Sequence, residues 1–128
     1  MFFPAKPKRV LIVDDDPSLL RQLRVRLEKR DRLKVEVATN GVQALEKAFD
    51  QAFDLIVLDW ILPDTQGIEL LKTLKANAHT RHTPVLMLTG CNKIGEVEQA
   101  FRLGASAYLT KPCELAKFGA KVRGLLAA

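Results

Sequence analysis

Cysteine is nearly missing from this 128-residue chain: Cys91 and Cys113 stand far apart and in no metal-like spacing. That excludes a disulfide framework and a cysteine-built zinc site, and it makes a reducing compartment, the cytoplasm, the default setting. Histidine is as scarce, and His79 and His82 in NAHTRHT have no third ligand nearby, so a solvated loop is the simpler reading. No apolar run approaches the roughly 20 residues of a membrane span, because Asp54, Asp59 and Asp64 interrupt the greasiest stretch. The opening MFFPAKPKR is basic but lacks an apolar segment of secretory-signal length. Residues 1–8 read as a flexible basic lead-in and residues 9–128 as one domain, long enough for a full core.

Aromatic residues are few, at 6% of the chain. Their scarcity bears on the net charge of +5, much of which lies on Arg21, Arg24, Arg26, Lys29, Arg30 and Arg32 against Glu28 and Asp31. With no aromatics interleaved and no recognition motif, this segment reads first as a solvated helix face. An acidic protein partner ranks next and direct nucleic-acid binding last.

What the chain does contain is alternation. Apolar, β-rich runs at Val10–Val13, Val35–Val37, Leu55–Leu58, Val85–Leu88 and Ala107–Leu109 alternate with stripes at helical spacing. The stripes are Leu20/Leu23/Leu27, Val42/Leu45/Phe49, Leu70/Leu71/Leu74, Ile94/Val97/Phe101 and Leu115/Phe118/Val122/Leu125, each expected to face the core. Continuous apolar strands alternating with helices imply an α/β domain with a parallel sheet covered on both faces.

In such a sheet, function gathers at the carboxyl ends of the strands. Asp14, Asp15 and Asp16 follow the first run, Asp59 the third, Thr89 and Gly90 the fourth, and Lys111-Pro112 the fifth. Carboxylates brought this close repel one another unless a cation joins them, and oxygen ligands of this kind suit Mg²⁺. Lys111 supplies a point charge for a phosphoryl oxygen and Thr89 a hydrogen bond, while Gly90 leaves room for the group. With no Walker-type glycine loop, and no serine or histidine at this rim, the nucleophile for phosphoryl transfer should be a carboxylate. Asp16 has a separate reading, because aspartate before Pro17 is a helix start.

The segments VLIVDDDPSLL, DLIVLDWILPDTQGIELLK, PVLMLTG and GASAYLTKP, in this order and spacing, resemble the CheY-like receiver domains of bacterial response regulators. The resemblance runs from about Arg9 to the end. It implies a flavodoxin-like, doubly wound five-stranded parallel sheet of order 2-1-3-4-5 with five helices on both faces. It also implies that Asp59 accepts phosphate from a phosphohistidine of a sensor histidine kinase or phosphotransfer protein. Mg²⁺, with Mn²⁺ as a substitute, would be held by Asp14, Asp15, Asp59 and the backbone carbonyl of Ile61. Thr89, Gly90 and Lys111 would bind the phosphoryl group, and Thr89 and Tyr108 would act as the switch. Pro63 and Gly67 match the family's loop, and Lys111-Pro112 a bond that the family holds cis. The expected output is a shift of the face around the fourth helix, fifth strand and fifth helix. Its reader would be a downstream protein or fused output domain, with the chain a monomer or a phosphorylation-dependent dimer. In that role the chain is a switch and not an enzyme beyond its own phosphorylation and dephosphorylation.

Several positions depart from the family pattern. Ile61 and Cys91 stand where polar residues often flank the hydrolytic water, which suggests a long-lived phosphorylated state. GASAY lacks the acidic pair that transcriptional relatives often carry. Gln22 and Arg26 replace apolar residues of the first helix, so either its stripe is narrow or these side chains snorkel. Trp60 reads as a partly exposed neighbour of the site. Two rivals follow from the same residues. One is a phosphate-independent pseudo-receiver; the other is a haloacid-dehalogenase-type phosphatase using Asp14-x-Asp16, which would leave Asp59 without a task.

Overall fold

The computed structural model describes residues 6–127. Residues 1–5 of the lead-in lie outside the described residues, and Lys6, Pro7 and Lys8 are exposed and irregular. Five strands, β1 (Arg9–Val13), β2 (Lys34–Ala38), β3 (Leu55–Leu58), β4 (Val85–Thr89) and β5 (Ala107–Thr110), form one parallel sheet in the order β2-β1-β3-β4-β5. They alternate with α1 (Pro17–Asp31), α2 (Gly41–Asp50), α3 (Gly67–Ala76), α4 (Ile94–Arg102) and α5 (Leu115–Ala127). This is the doubly wound, flavodoxin-like architecture expected.

The strand pleat divides the core in two. Val10, Ile12, Leu55, Val57, Leu86, Leu88, Ala107 and Leu109 face α1 and α5, where Leu20, Leu23, Leu27, Phe118 and Val122 are buried. Leu11, Val13, Ile56, Leu58, Val85 and Met87 face α2, α3 and Ala100 of α4. Successive strand residues thus serve opposite faces, which is why the strands read as unbroken apolar runs.

Two helical stripes are misassigned by periodicity. On α2 the buried residues are Gly41, Ala44 and Ala48, while Val42 is 60% exposed, Phe49 is exposed and Leu45 half-buried. On α4 only Ala100 is buried; Ile94 is 79% exposed, Phe101 is exposed and Val97 half-buried. Both helices present small residues inward and leave the large side chains at the margin. Leu115 likewise lies outward on α5. On α1 the stripe is narrow: Gln22 is exposed, and the half-buried Arg26 lays its guanidinium across Gly119 of α5.

The start of α1 follows the sequence closely. Asp16 is the N-cap, its carboxylate accepting from the N–H groups of Ser18 at 3.0 Å and Leu19 at 3.3 Å, with Pro17 opening the helix. Asp16→Ala is expected to cost about 1 kcal/mol, the usual value of a lost cap, read as a lower urea midpoint with an unchanged slope. The helix ends on Arg32 in the left-handed region at φ 55°, a position more often glycine.

Candidate phosphoacceptor site

Strand register builds the site. Val13 of β1 pairs with Leu58 of β3, and the Asp59 N–H donates to the Val13 carbonyl at 3.1 Å. The residues that follow, Asp14 and Asp59, therefore emerge side by side at the carboxyl edge of the sheet. Thr89 pairs with Thr110, and the Lys111 N–H donates to the Thr89 carbonyl at 2.9 Å, which brings Lys111 to the same edge. The Lys111–Pro112 peptide is cis.

Carboxylate oxygens of Asp14, Asp15 and Asp59 all lie within 4.8 Å of one another. Asp14 and Asp59 are buried, at 2% and 6% exposure, whereas Asp15 opens to solvent. The Lys111 ammonium joins the buried pair, at 2.6 Å from Asp14 Oδ2 and 2.9 Å from Asp59 Oδ2. Burial pushes the Asp14 carboxyl up, more than its bonds to Lys111 and the Asp16 N–H pull it down, and the Asp59 charge adds to the rise. Burial would lower Lys111, but its hydrogen bonds to Asp14 and Asp59 and their charges hold it above its ordinary value.

The other oxygen of Asp59 is also held. Oδ1 accepts from the Trp60 N–H at 2.6 Å and, more weakly, the Ile61 N–H at 3.4 Å. These main-chain donors fix the carboxylate plane, and sequence reasoning missed them because a backbone N–H leaves no mark in residue type. Trp60 departs from expectation. It is buried at 7% exposure, its side chain packed into the core on the α2–α3 side. An indole so placed stiffens the start of the loop instead of standing at its surface. The Ile61 side chain points outward at 65% exposure, and Pro63 is exposed. Gly67 is buried against the Asp59 main chain, where a Cβ would fall 1.8 Å from the Asp59 carbonyl oxygen. A side chain at Gly90, by contrast, would meet nothing within 4 Å.

Thr89 is fully buried, and its hydroxyl oxygen accepts from the Cys91 N–H at 3.3 Å. It does not cap α4, which begins five residues later. The half-buried Tyr108 donates its hydroxyl to the Cys91 carbonyl at 2.5 Å and stands 6.5 Å, centroid to centroid, from Phe101. Burial, then the charges of Cys91, Glu96 and Asp59, push this phenol up to about 12. Tyr108 is the sole tyrosine of the sequence, so phenolate absorbance reports it directly. The folded protein is expected to show little phenolate at about pH 10, where a free phenol is half ionised, and urea should release the signal. Because the folded value lies above the unfolded one, the stability it represents is complete below about pH 10 and lost as pH rises through about 12.

Cys113, Lys111 and Pro112 line a cavity with Asp16, Leu19 and Gln22, adjoining the site. Among the described residues no helix is long and apolar enough to cross a membrane. The basic side chains of α1 are mostly exposed, with Arg24 paired to Glu28 at 3.3 Å.

A family model for the response regulator receiver domain matches residues 10–123. The chain is a response regulator receiver domain. The Synechocystis "DNA-binding dual master transcriptional regulator RpaA" is 37% identical over 118 residues, which are 92% of this chain and 48% of that protein. The Vibrio cholerae "Chemotaxis protein CheY-3" is 35% identical over 107 residues, 84% of this chain and 82% of that protein. A CheY-like receiver domain from Methanospirillum hungatei superposes with a TM-score of 0.89 at 30% identity, covering 95% of each chain. The receiver domain spans about half the length of the transcriptional regulators it matches. It is a signalling module of two-component systems, and the residues just described are its acidic edge.

Proposed function

We propose that this receiver domain takes a phosphoryl group onto Asp59 from a phosphohistidine of a sensor histidine kinase or phosphotransfer protein. The observation that carries this reading is the environment of Asp59: a buried carboxylate at a strand end, with Lys111 at 2.9 Å and two further acids within ligand reach. The donor set fits a hard divalent cation, being three carboxylates with no sulfur or imidazole among them. Asp14, Asp15 and Asp59 would hold Mg²⁺, or Mn²⁺ in its place, with the Ile61 carbonyl completing the protein ligands. When bound, the cation supplies charge neutralisation for the carboxylates and the incoming phosphoryl oxygens.

The chain's own groups account for the rest. Trp60 and Ile61 N–H groups hold Asp59 Oδ1 and so leave Oδ2, which faces the Lys111 ammonium, as the attacking oxygen. That oxygen forms the new P–O bond as the phosphohistidine P–N bond breaks, and the leaving imidazole takes up a proton. Lys111 is poised to move its ammonium from the carboxylate pair to a phosphoryl oxygen. Thr89 would donate its hydroxyl to another, and the shift toward the phosphate would pull on the bond its oxygen accepts from the Cys91 N–H. Since Tyr108 is tied to the same Cys91 carbonyl segment, that change reaches β5 and the exposed apolar side chains of α4. Phosphate thereby biases a two-state face toward the form a downstream partner or output domain reads. A cytoplasmic setting belongs to this reading.

The test is phosphorylation of the purified domain by a small phosphoryl donor with Mg²⁺. One acid-labile phosphoryl group should appear by mass, vanish in Asp59→Asn, and fall to background in Asp15→Ala through lost metal binding. Labelling of Asp14 instead would establish the phosphatase reading. That reading is disfavoured here because Asp16 spends its carboxylate capping α1. No response to Mg²⁺ or beryllofluoride would establish the pseudo-receiver. Ile61 and Cys91 offer no side-chain oxygen or amide to a hydrolytic water, so the phosphorylated state should be long-lived and shortened by Ile61→Asn.

A further inference from the structure

Asp64 lies outside the acidic cluster, yet its carboxylate is engaged on both oxygens. Oδ1 accepts from the Gly41 N–H at 2.7 Å and Oδ2 from the Val42 N–H at 3.0 Å. These are donors of the first turn of α2, which has no acidic residue there of its own. The partners are 22 and 23 residues apart in sequence, so this is a tertiary staple and not a local turn. The Gly41 N–H bond and the Val42 N–H bond hold the Asp64 carboxyl below its ordinary range.

The segment that Asp64 staples is the connection between β3 and α3. It runs out from Asp59, turns where the Leu62 N–H donates to the Thr65 carbonyl at 3.2 Å, and returns through an antiparallel bridge between Ile61 and Gln66. It closes where the Gly67 N–H donates to the Trp60 carbonyl at 2.6 Å. Asp64 sits at the tip, and the base is the phosphoacceptor itself. The next residue packs at the same point: a Cβ on Gly41 would stand 2.5 Å from Thr65 Cγ2. The loop thus rests on α2 at a point where that helix has no side chain.

We infer that Asp64 is a positioning residue for the metal and phosphoacceptor site, setting the Ile61 main chain by anchoring its loop to the N-terminus of α2. This rests on the reading that the acidic edge binds a divalent cation. The Ile61 N–H reaches Asp59 Oδ1, and the Ile61 carbonyl is the one main-chain ligand assigned there. A loop freed at its tip tilts about its base and takes both groups with it. Groups hydrogen-bonded to a metal ligand typically change metal affinity by about 10–100-fold when removed, and Asp64, which acts through the loop that carries the ligand, belongs at the lower end of that range.

The experiment measures Mn²⁺ binding by water-proton relaxation in wild type, Asp64→Ala, Asp64→Asn and Asn40→Ala. Asn40 caps α2 through the Gln43 N–H at 2.9 Å, so Asn40→Ala loosens the same helix end and leaves the staple intact. The expected result is about tenfold weaker binding in Asp64→Ala, a smaller loss in Asp64→Asn, which retains one acceptor, and little change in Asn40→Ala. With a small phosphoryl donor, the Asp64→Ala defect should shrink as Mg²⁺ is raised to saturation. Wild-type affinity in Asp64→Ala, or an equal loss in Asn40→Ala, overturns the assignment. Absence of Mn²⁺ binding in wild type would instead remove the cation reading on which it rests.

Discussion

Gly67→Ala is expected to cost about 3 kcal/mol, the upper end of what overpacking does in a well-packed site. The methyl group would be placed 1.8 Å from the Asp59 carbonyl oxygen and 2.8 Å from its carbon. Both are main-chain atoms, so no rotamer change relieves the contact. Retreat of the Asp59 peptide is opposed by its own N–H bond to Val13, and retreat of residue 67 by its N–H bond to Trp60. If the Asp59 peptide gives way, the carboxyl end of β3 moves, so the Asp59 carboxylate should be displaced along with the loss of stability. Urea unfolding measures the first effect, and beryllofluoride binding the second. Gly124→Ala provides the comparison, since nothing lies within 4 Å of its new methyl. There, removal of helical glycine should be neutral or stabilising by up to about 1 kcal/mol. A Gly67→Ala protein within about 1 kcal/mol of wild type would contradict the close approach.

That glycine marks where sequence reading succeeds and where it stops. The parallel sheet was legible because strands covered on both faces must be apolar throughout, as Leu55–Leu58 and Val85–Leu88 are. The acids and Lys111 were legible because polar residues directly after such strands have one place to go. In the structure the three aspartates divide, with Asp16 on the helix end and Asp14 and Asp15 in the cluster with Asp59. The inward faces of α2 and α4 were not legible, since a periodicity weighted by side-chain size passes over Ala44, Ala48 and Ala100. Nor were the Trp60 and Ile61 donors or the Asp64 staple. Each depends on backbone geometry or on a contact across 22 residues or more that residue type does not announce.

Lys111→Met tests the electrostatics of the same edge. The side chains of Asp14 and Asp59 are 3% and 8% exposed, and the Lys111 ammonium is the cation bonded to both. Removing one partner of a buried ion pair typically costs about 3–5 kcal/mol, because the charge left behind has lost its solvation and its counter-ion. In metal-free protein near neutral pH the variant is expected to lose about 3 kcal/mol, the lower figure applying because Lys111 is partly open to solvent. Two conditions separate this from lost packing. The Asp14 carboxyl already lies above its unfolded value of 3.8, and losing the ammonium should raise it further. A group raised in the folded state contributes stability fully present below the unfolded value and lost as pH rises through the folded one. The deficit of Lys111→Met should therefore narrow as pH is lowered from neutral toward the carboxyl range. It should also narrow when Mg²⁺ is added at neutral pH, because a divalent cation among the same carboxylates replaces the missing charge. Urea midpoints with and without Mg²⁺, at neutral and mildly acidic pH, read both effects. A deficit that ignores pH and Mg²⁺ alike would mean that Lys111 contributes its methylene stem to packing, and that the carboxylate pair does not depend on its charge.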